Sequence, residues 1–401
     1  MKKTWEVKRL EEVCEIVNGG TPDTKISEYW GGEFLWLTPK DMGKLESIYV
    51  NDTERKITDT GLKNSSAKLL PINSIILSSR APIGHLAINT EEIATNQGCK
   101  GIIPNRNLKT LFLYYFLKNS IKLLNDLGSG ATFKELSGSK LAEIKIPLPP
   151  LPEQKLIVAI LDEAFAAITK AKEKAEKNLR NARELFDSYL QSVFANHGDG
   201  WEEKRLDELA EIKGGKRVPK GYRLQKEPTK FTYIRVTDFN DNGTVDLDDI
   251  HYVNEAIYRQ IKNYTISTKD LYISIAGTIG KTGMIPEKLN GANLTENACK
   301  LVFESDIEPR LVYFFTKSKD FLSQAGLNTR VAAMPKLALS RLSTISFFIP
   351  KSLSEQRSIV TKLDALSAET KKLESIYQKK LDSLDELKKS ILQKAFAGEL
   401  S

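Results

Sequence analysis

The chain of 401 residues is poor in the side chains that most often carry chemistry. It has three cysteines (Cys14, Cys99 and Cys299) and three histidines (His85, His197 and His251). No two cysteines form a C-x-x-C pair and no histidines have metal-ligand spacing. This argues against zinc or a disulfide framework and for reduced, structural thiols. No apolar run reaches membrane-spanning length, and the opening MKKTWEVKRL has no apolar stretch behind its lysines, so no signal peptide is expected and the predicted location is cytoplasmic. Dinucleotide fingerprints, nucleophile elbows and the proline-pair amide motif of base amino-methylation are missing too, and no cofactor is implied. One near miss is Leu271-Tyr-Ile-Ser-Ile-Ala-Gly-Thr-Ile-Gly-Lys-Thr-Gly283, which ends like a phosphate-binding loop. Ile275 stands where such a loop needs its first glycine, and Gly84-His85-Leu86, the matching point of the first half, has no lysine. A glycine turn between two buried strands is the expectation, and an enzymatic reading would rest on Gly280-Lys281-Thr282 alone.

What is present is a repeat. Composition is that of a soluble globular chain, 41% hydrophobic and 28% charged, with a net charge of +7 that by itself only hints at a polyanionic partner. The stretch Trp5-Glu-Val-Lys-Arg-Leu10 returns as Trp201-Glu-Glu-Lys-Arg-Leu206, and glycine pairs follow at Gly19-Gly20 and Gly214-Gly215. Trp36-Leu-Thr-Pro-Lys-Asp41 is echoed by Tyr233-Ile-Arg-Val-Thr-Asp238, and Ile75-Ile-Leu-Ser, ending at Ile83-Gly84, by Leu271-Tyr-Ile-Ser, ending at Ile279-Gly280. Thr95-Asn-Gln-Gly-Cys-Lys100 matches Thr295-Glu-Asn-Ala-Cys-Lys300, and Tyr114-Tyr-Phe116 matches Tyr313-Phe-Phe315. A repeat of this length is one folding unit written twice.

Each copy leaves through an extended segment, Ile146-Pro-Leu-Pro-Pro-Leu-Pro-Glu-Gln154 or Ile349-Pro-Lys-Ser-Leu-Ser-Glu-Gln356, into a long stretch with no glycine or proline until its end. Leu161, Ala164, Ile168, Ala171, Ala175, Asn178, Ala182, Leu185 and Tyr189 alternate steps of three and four. So do Leu363, Leu366, Thr370, Leu373, Tyr377, Lys380, Leu384, Leu387 and Ile391. Each position lies 202 residues from its counterpart, as Leu363 does from Leu161. This is the seam of a coiled coil, with lysine- and glutamate-rich outer faces; two bundle helices on a larger core are the alternative. The expected architecture is two α/β (α+β) globular domains in tandem, residues 1–150 and 199–350, alternating with helices at 151–198 and 351–401.

These features together resemble the specificity subunits of type I restriction-modification systems, over essentially the whole chain. The most specific are Leu148-Pro-Pro-Leu-Pro-Glu-Gln154, Leu353-Ser-Glu-Gln356 and the closing Leu-Gln-x-x-Phe-Ala of both helices. The Trp-x-x-x-x-Leu opening, a short strand ending in Asp41 or Asp238, and the turns at Gly84 and Gly280 resemble that family's target recognition domains. Lys351-Ser-Leu-Ser departs from the proline-rich entry. The resemblance implies a non-catalytic DNA-binding subunit without S-adenosylmethionine. It implies two methyltransferase subunits, restriction subunits in the full complex, double-stranded DNA as ligand and no membrane. Each domain would read one half of a bipartite site, and the two helices would pack antiparallel as spacer and docking surface. Residues 161–194 as helix would span about 50 Å at 1.5 Å per residue, comparable to ~15 base pairs. Two unlike readers make the expected target asymmetric, where identical ones would demand a palindrome.

Candidate DNA contacts are basic residues beside the repeated turns: Lys40, Arg80 and Lys134 in the first half, and Lys216, Arg217, Arg235, Lys281 and Arg330 in the second. For each, a solvated surface charge is the alternative. Leu190, Phe194, Ile391 and Phe396 are candidate contacts to a methyltransferase subunit, with packing under the recognition domains as the alternative. Two rival functions stay open, a methylation-only or phage-defence relative and a coiled-coil scaffold that binds protein.

Overall fold

A computed structural model describes residues 5–130, 134–327 and 336–400. The chain divides into two compact units, one of residues 1–176 with 379–401 and one of residues 177–378. Each is built around one copy of the repeat and contains a portion of both long helices, Leu151–Ala195 and Leu353–Phe396.

In the first unit the strands are β1 (Glu6–Arg9), β2 (Cys14–Asn18), β3 (Trp30–Leu37), β4 (Tyr49–Val50), β5 (Arg55–Ile57), β6 (Ile75–Ser78), β7 (Leu86–Asn89), β8 (Ile93–Thr95), β9 (Cys99–Pro104) and β10 (Lys145–Leu148). They form sheets in the orders β2-β9-β6-β7-β4, β5-β3-β8 and β1-β10. The second unit has β11 (Trp201–Arg205), β12 (Ala210–Gly214), β13 (Phe231–Ile234), β14 (His251–Val253), β15 (Thr265–Ile266), β16 (Leu271–Ser274), β17 (Thr282–Met284), β18 (Ala292–Leu294), β19 (Ala298–Phe303) and β20 (Ser346–Pro350). Its sheets run β12-β19-β16-β17, β14-β13-β18-β15 and β11-β20. Most pairs are antiparallel, while β3/β8, β4/β7 and β13/β18 are parallel. Both units are therefore α+β, and the apolar runs of β6 and β16 have all four residues buried, as strands covered on both faces must.

The opening of each copy pairs with its end: Glu6 lies opposite Leu148, and Trp201 opposite Pro350. Leu10 and Leu206, the invariant partners of those tryptophans in the repeat, are fully buried behind these ribbons. The helix then begins on a buried glutamine. Gln154 Nε2 donates to the carbonyls of Asn107 and Pro149, both at 2.9 Å, and its Oε1 accepts from the Lys109 amide at 2.8 Å. Gln356 repeats the arrangement with the carbonyls of Asp306 (3.3 Å) and Pro350 (2.9 Å) and the Glu308 amide (2.8 Å). All of the amide's donors and its acceptor are used, which makes burying so polar a group tolerable.

The helices run antiparallel within each unit. Ile157 and Leu161, near the start of the first helix, share a core with Leu392, Ala395 and Phe396, near the end of the second. In the second unit Leu190 and Phe194 share a core with Val360 and Leu363. Lys172 pairs with Asp385 at 2.5 Å and Arg183 with Glu374 at 3.0 Å, eleven residues forward on one helix for eleven back on the other. The expected seam holds at Leu161, Ile168, Ala175, Ala182, Leu363 and Thr370, which are buried, but not at Leu185, Leu373 and Leu387, which are exposed. Phe186 turns inward instead, 6.3 Å from the Phe314 ring. A helix with 3.6 residues per turn drifts about 20° per heptad from a strict 3.5-residue stripe, and here the helix ends follow the globular cores.

Two outcomes are expected. Gln154→Leu or Gln356→Leu leaves two carbonyls and an amide without partners, at about 1–3 kcal/mol for each buried group, so the affected unit should melt several degrees lower in calorimetry. Burial pushes the thiols of Cys14, Cys99 and Cys299 up to about 12. All three should ignore a disulfide reagent at pH 8 in the folded protein and react once it is denatured.

Candidate nucleic-acid interface

The two glycine turns are held by the same device. After β6, Ser78 Oγ donates to the Pro82 carbonyl at 2.7 Å and accepts from the His85 amide at 2.8 Å. After β16, Ser274 Oγ donates to the Thr278 carbonyl at 2.5 Å and accepts from the Lys281 amide at 2.8 Å. Gly84 (φ 111°) and Gly280 (φ 88°) close the turns in a backbone conformation that favours glycine. The antiparallel pairing of Leu271–Ile273 with Thr282–Met284 makes the second turn a connection between strands. Its Gly-Lys-Thr is followed by a buried strand, and Lys281 Nζ donates to the carbonyl of Phe239 at 2.8 Å.

In the first unit the three candidate segments lie side by side. Lys40 stands exposed in the helical turn Pro39–Met42. Asp41 is not the end of a strand, as expected, but closes this turn: its carboxylate accepts from the Thr38 amide (3.0 Å) and hydroxyl (2.8 Å). β3 stops at Leu37 because Pro39 cannot continue a ladder. Arg80 stands beside both, since a Cβ added to Gly98 would come within 3.0 Å of Arg80 Nε and 3.1 Å of the Pro39 ring. The Leu136 amide donates to the Ser79 carbonyl at 2.9 Å, which lays exposed Lys134 and its neighbour Glu135 along the same turn.

The second unit uses its basic residues differently. Arg235 is bound to the buried Asp238 (Nη2–Oδ1 2.5 Å) and to Asp249 (Nη2–Oδ2 3.0 Å), so it serves the fold. Lys226 and Arg235 together hold Asp249 down at about 2. Lys281 is engaged by the Phe239 carbonyl and by Asp241 at 3.3 Å. Arg217 is 78% exposed and pairs with Glu296 at 2.5 Å, a carboxylate on the turn between β18 and β19. Neighbouring Lys216 stands 5.5 Å over the Tyr264 ring, and its carbonyl accepts from the Tyr233 hydroxyl at 2.8 Å; burial pushes that phenol up to about 12. Arg330 lies outside the described residues.

Of the four apolar residues expected to meet a partner, Leu190 is buried and Phe194, Ile391 and Phe396 are half-buried, each packed against the core of its unit. Leu190 is 1% exposed. Phe194 rests edge-on to Phe315 (5.4 Å) and Phe347 (6.1 Å), and Phe396 to Phe112 (5.2 Å) and Phe116 (5.6 Å). Ile391 packs on the first unit's core. The excess apolar surface at the helix ends is there for the aromatic clusters Tyr114–Phe116 and Tyr313–Phe315. The sequence reading also passed over Arg55, whose guanidinium lies 3.6 Å above the Trp30 ring, over Lys100, and over Glu135, whose carboxylate lies 3.8 Å from both Arg80 and Lys100. Lys100 was visible only as a repeated letter.

Among the described residues no group of three or more His, Cys, Asp or Glu side chains is placed to hold a metal ion, and no helix is long and apolar enough to cross a membrane. Residues 2–178 and 198–382 match the profile described as the type I restriction modification DNA specificity domain. The type I restriction enzyme MjaIX specificity subunit of Methanocaldococcus jannaschii is 29% identical, over 99% of this chain and 94% of that protein. The EcoR124I/EcoR124II specificity subunit of Escherichia coli is also 29% identical, over 47% of this chain and 48% of its own length. The fold is shared with the HsdS subunit from Thermoanaerobacter tengcongensis, at a TM-score of 0.64 and 20% identity over 99% of this chain and 97% of that one. A second chain is shared at a TM-score of 0.79 and 20% identity over 99% and 98%; it comes from a structure described as the basis of complex assembly and conformational transition of the type I R-M system. With matching scaffolds in both halves and basic turns on each, the chain belongs to the family of type I restriction-modification specificity subunits, whose role is DNA recognition.

Proposed function

We propose that the two units read the two unlike halves of an asymmetric bipartite site in duplex DNA, residues 1–150 one half and residues 199–350 the other. The observation that carries this reading is that the copies agree in scaffold and differ at the edge. The serine clamps and the glutamine anchors coincide. Yet two residues after the serine stands Arg80 in one copy and Ala276 in the other, seven after it His85 or Lys281, and on the turn before β9 or β19 Gln97 or Glu296. Base edges are distinguished by donor and acceptor pattern, so unlike edges on like frames mean unlike half-sites. Lys40, Lys134, Lys216 and Arg217 serve as phosphate contacts in this reading, while Arg235 and Lys281 position the loops around them.

Catalysis then belongs to partner subunits. This chain contributes no reacting group and no cofactor, and acts in the cytoplasm, where it joins two methyltransferase subunits and, in a restricting complex, restriction subunits. With the helix-end phenylalanines packed on the cores, the outward residues Leu185, Leu373 and Ile376 of the second unit are the apolar surface such a subunit would cover.

The test is methylation mapping of the host genome with and without this chain, alongside its methyltransferase subunit. A mark that depends on the chain and falls on a split, asymmetric motif is expected; a complex that forms without any chain-dependent motif would sink the reading in favour of a protein-binding scaffold. In binding assays Lys40→Ala and Lys134→Ala should weaken all duplexes alike and each lower the salt slope by about one. Arg235→Ala should chiefly lower the melting temperature, because it leaves Asp238 buried without its cation.

A further inference from the structure

The turn before β9 carries an exposed glutamine that the fold holds still. The Gly20 amide donates to the Thr95 carbonyl at 2.9 Å and the Asn96 amide to the Leu37 carbonyl at 3.0 Å. The Asn96 side chain accepts from the Gly98 amide at 2.9 Å, so it serves the turn itself. Gln97 stands exposed on this braced turn, and its Oε1 accepts from the hydroxyl of Thr21, 76 residues away in the chain. Its Nε2 has no partner among the described residues. The turn lies among the basic segments of the first unit, because a Cβ on Gly98 would come within 3.0 Å of Arg80 Nε and 3.1 Å of the Pro39 ring.

The second unit bridges the same two positions with other chemistry. The parallel pairs Leu37–Thr95 and Ile234–Leu294 set the registers of the two turns. Gln97 therefore corresponds to Glu296, one residue off the sequence match of Thr95 with Thr295. The carbonyls of Gly20 and Lys216 also correspond, accepting from the Trp36 indole at 2.9 Å and the Tyr233 hydroxyl at 2.8 Å, which sets Thr21 against Arg217. Arg217 Nε donates to Glu296 Oε1 at 2.5 Å, and the other carboxylate oxygen accepts from the Thr295 hydroxyl at 3.0 Å. That bridge presents a guanidinium, which suits the phosphate contact assigned above. The bridge of Thr21 and Gln97 presents no charge. A neutral amide adds little to the electrostatic attraction that dominates backbone binding, but it sets a donor and an acceptor side by side.

Resting on the DNA-reading function proposed above, we infer that Gln97 is a specificity-determining residue that reads the adenine of an A·T pair in the half-site of the first unit, with Thr21 as its positioning residue. In the major groove adenine presents a donor at N6 beside an acceptor at N7. Gln97 offers the complement. Thr21 uses one of the two acceptor sites of Oε1, which leaves the other for N6, and Nε2 is open to N7. Guanine sets two acceptors at that place and would oppose Oε1, while cytosine offers a donor alone and thymine an acceptor alone. Phosphate oxygens are acceptors only, so they too would leave Oε1 unanswered. A long side chain loses rotamer freedom when it binds, and the bond from Thr21 has already removed part of that freedom.

The experiment is methylation mapping in the host with full-length Gln97→Ala, Thr21→Val and Thr21→Ser chains, beside Lys40→Ala and with melting curves of the purified complexes. The wild-type motif should contain a required A·T pair other than the modified one. Gln97→Ala should relax that position alone, in one half of the motif, with discrimination against the other pairs falling about ten- to hundredfold. Thr21→Val should relax the same position less, and Thr21→Ser should restore it. Melting should not change, because Gln97 is exposed. The inference is overturned if Gln97→Ala leaves every position of the motif as strict as before, which would mark a solvated amide. It is equally overturned if that variant lowers modification at all sites alike, as Lys40→Ala should, which would mark a backbone contact. A lower melting temperature with the motif intact would mark a brace of the turn and sink it as well. A wild-type chain that directs no motif at all would overturn the DNA-reading function itself, a result distinct from all of these.

Discussion

Two buried glutamines hold the architecture together. Gln154 and Gln356 sit in the first turn of their helices with every amide donor and acceptor engaged by backbone groups of the adjoining globular part. Because a side-chain amide is planar and its three bonds are directional, this fixes the angle at which each helix leaves its domain. A hydrophobic contact at the same place would bind as well and orient less. A protein that reads DNA must set side chains to within a fraction of an ångström, so the orientation of the reading domain has to be rigid where it is mounted.

The same economy of position is seen inside each domain. Ser78 and Ser274 tie a seven-residue excursion to the strand it leaves, and Gly19 and Gly215 let the chain pass so close to the carbonyls of Asn96 and Thr295 that a Cβ would fall within 2.0 Å. The frame is therefore set by small residues and backbone bonds, which leaves the long polar side chains of the turns free to vary. Arg80 in place of Ala276, or Gln97 in place of Glu296, changes the chemistry offered to a ligand without altering the turn that presents it.

The helices close the repeat on itself. Phe194 ends the first copy's helix on the second copy's aromatic cluster, and Phe396 ends the second copy's helix on the first's. Each unit thus takes its core from both halves of the chain, and neither copy of the repeat, cut at its sequence boundary, would contain a complete one. Equivalent anchors are made with different chemistry: Asp162 accepts from the Tyr115 hydroxyl, whereas Asp364 is held bidentately by Arg310.

The duplicated plan, the long helices and the turn at Gly280 were legible in the sequence, because repetition and periodicity are local patterns that backbone geometry translates directly. So was the grouping of basic residues beside the turns of the first unit, where the segments of Lys40, Arg80 and Lys134 are neighbours. What tertiary structure alone decided was the use of each side chain. Nothing in the spacing distinguished Arg235, bound to a buried carboxylate, from Arg217 on the surface. The packing of Phe194 and Phe396 against the aromatic clusters and the choice of Phe186 over Leu185 were equally hidden. Those outcomes depend on partners dozens to hundreds of residues away, and the free energy of a charge or a ring is set by what surrounds it in space, which a linear pattern does not contain.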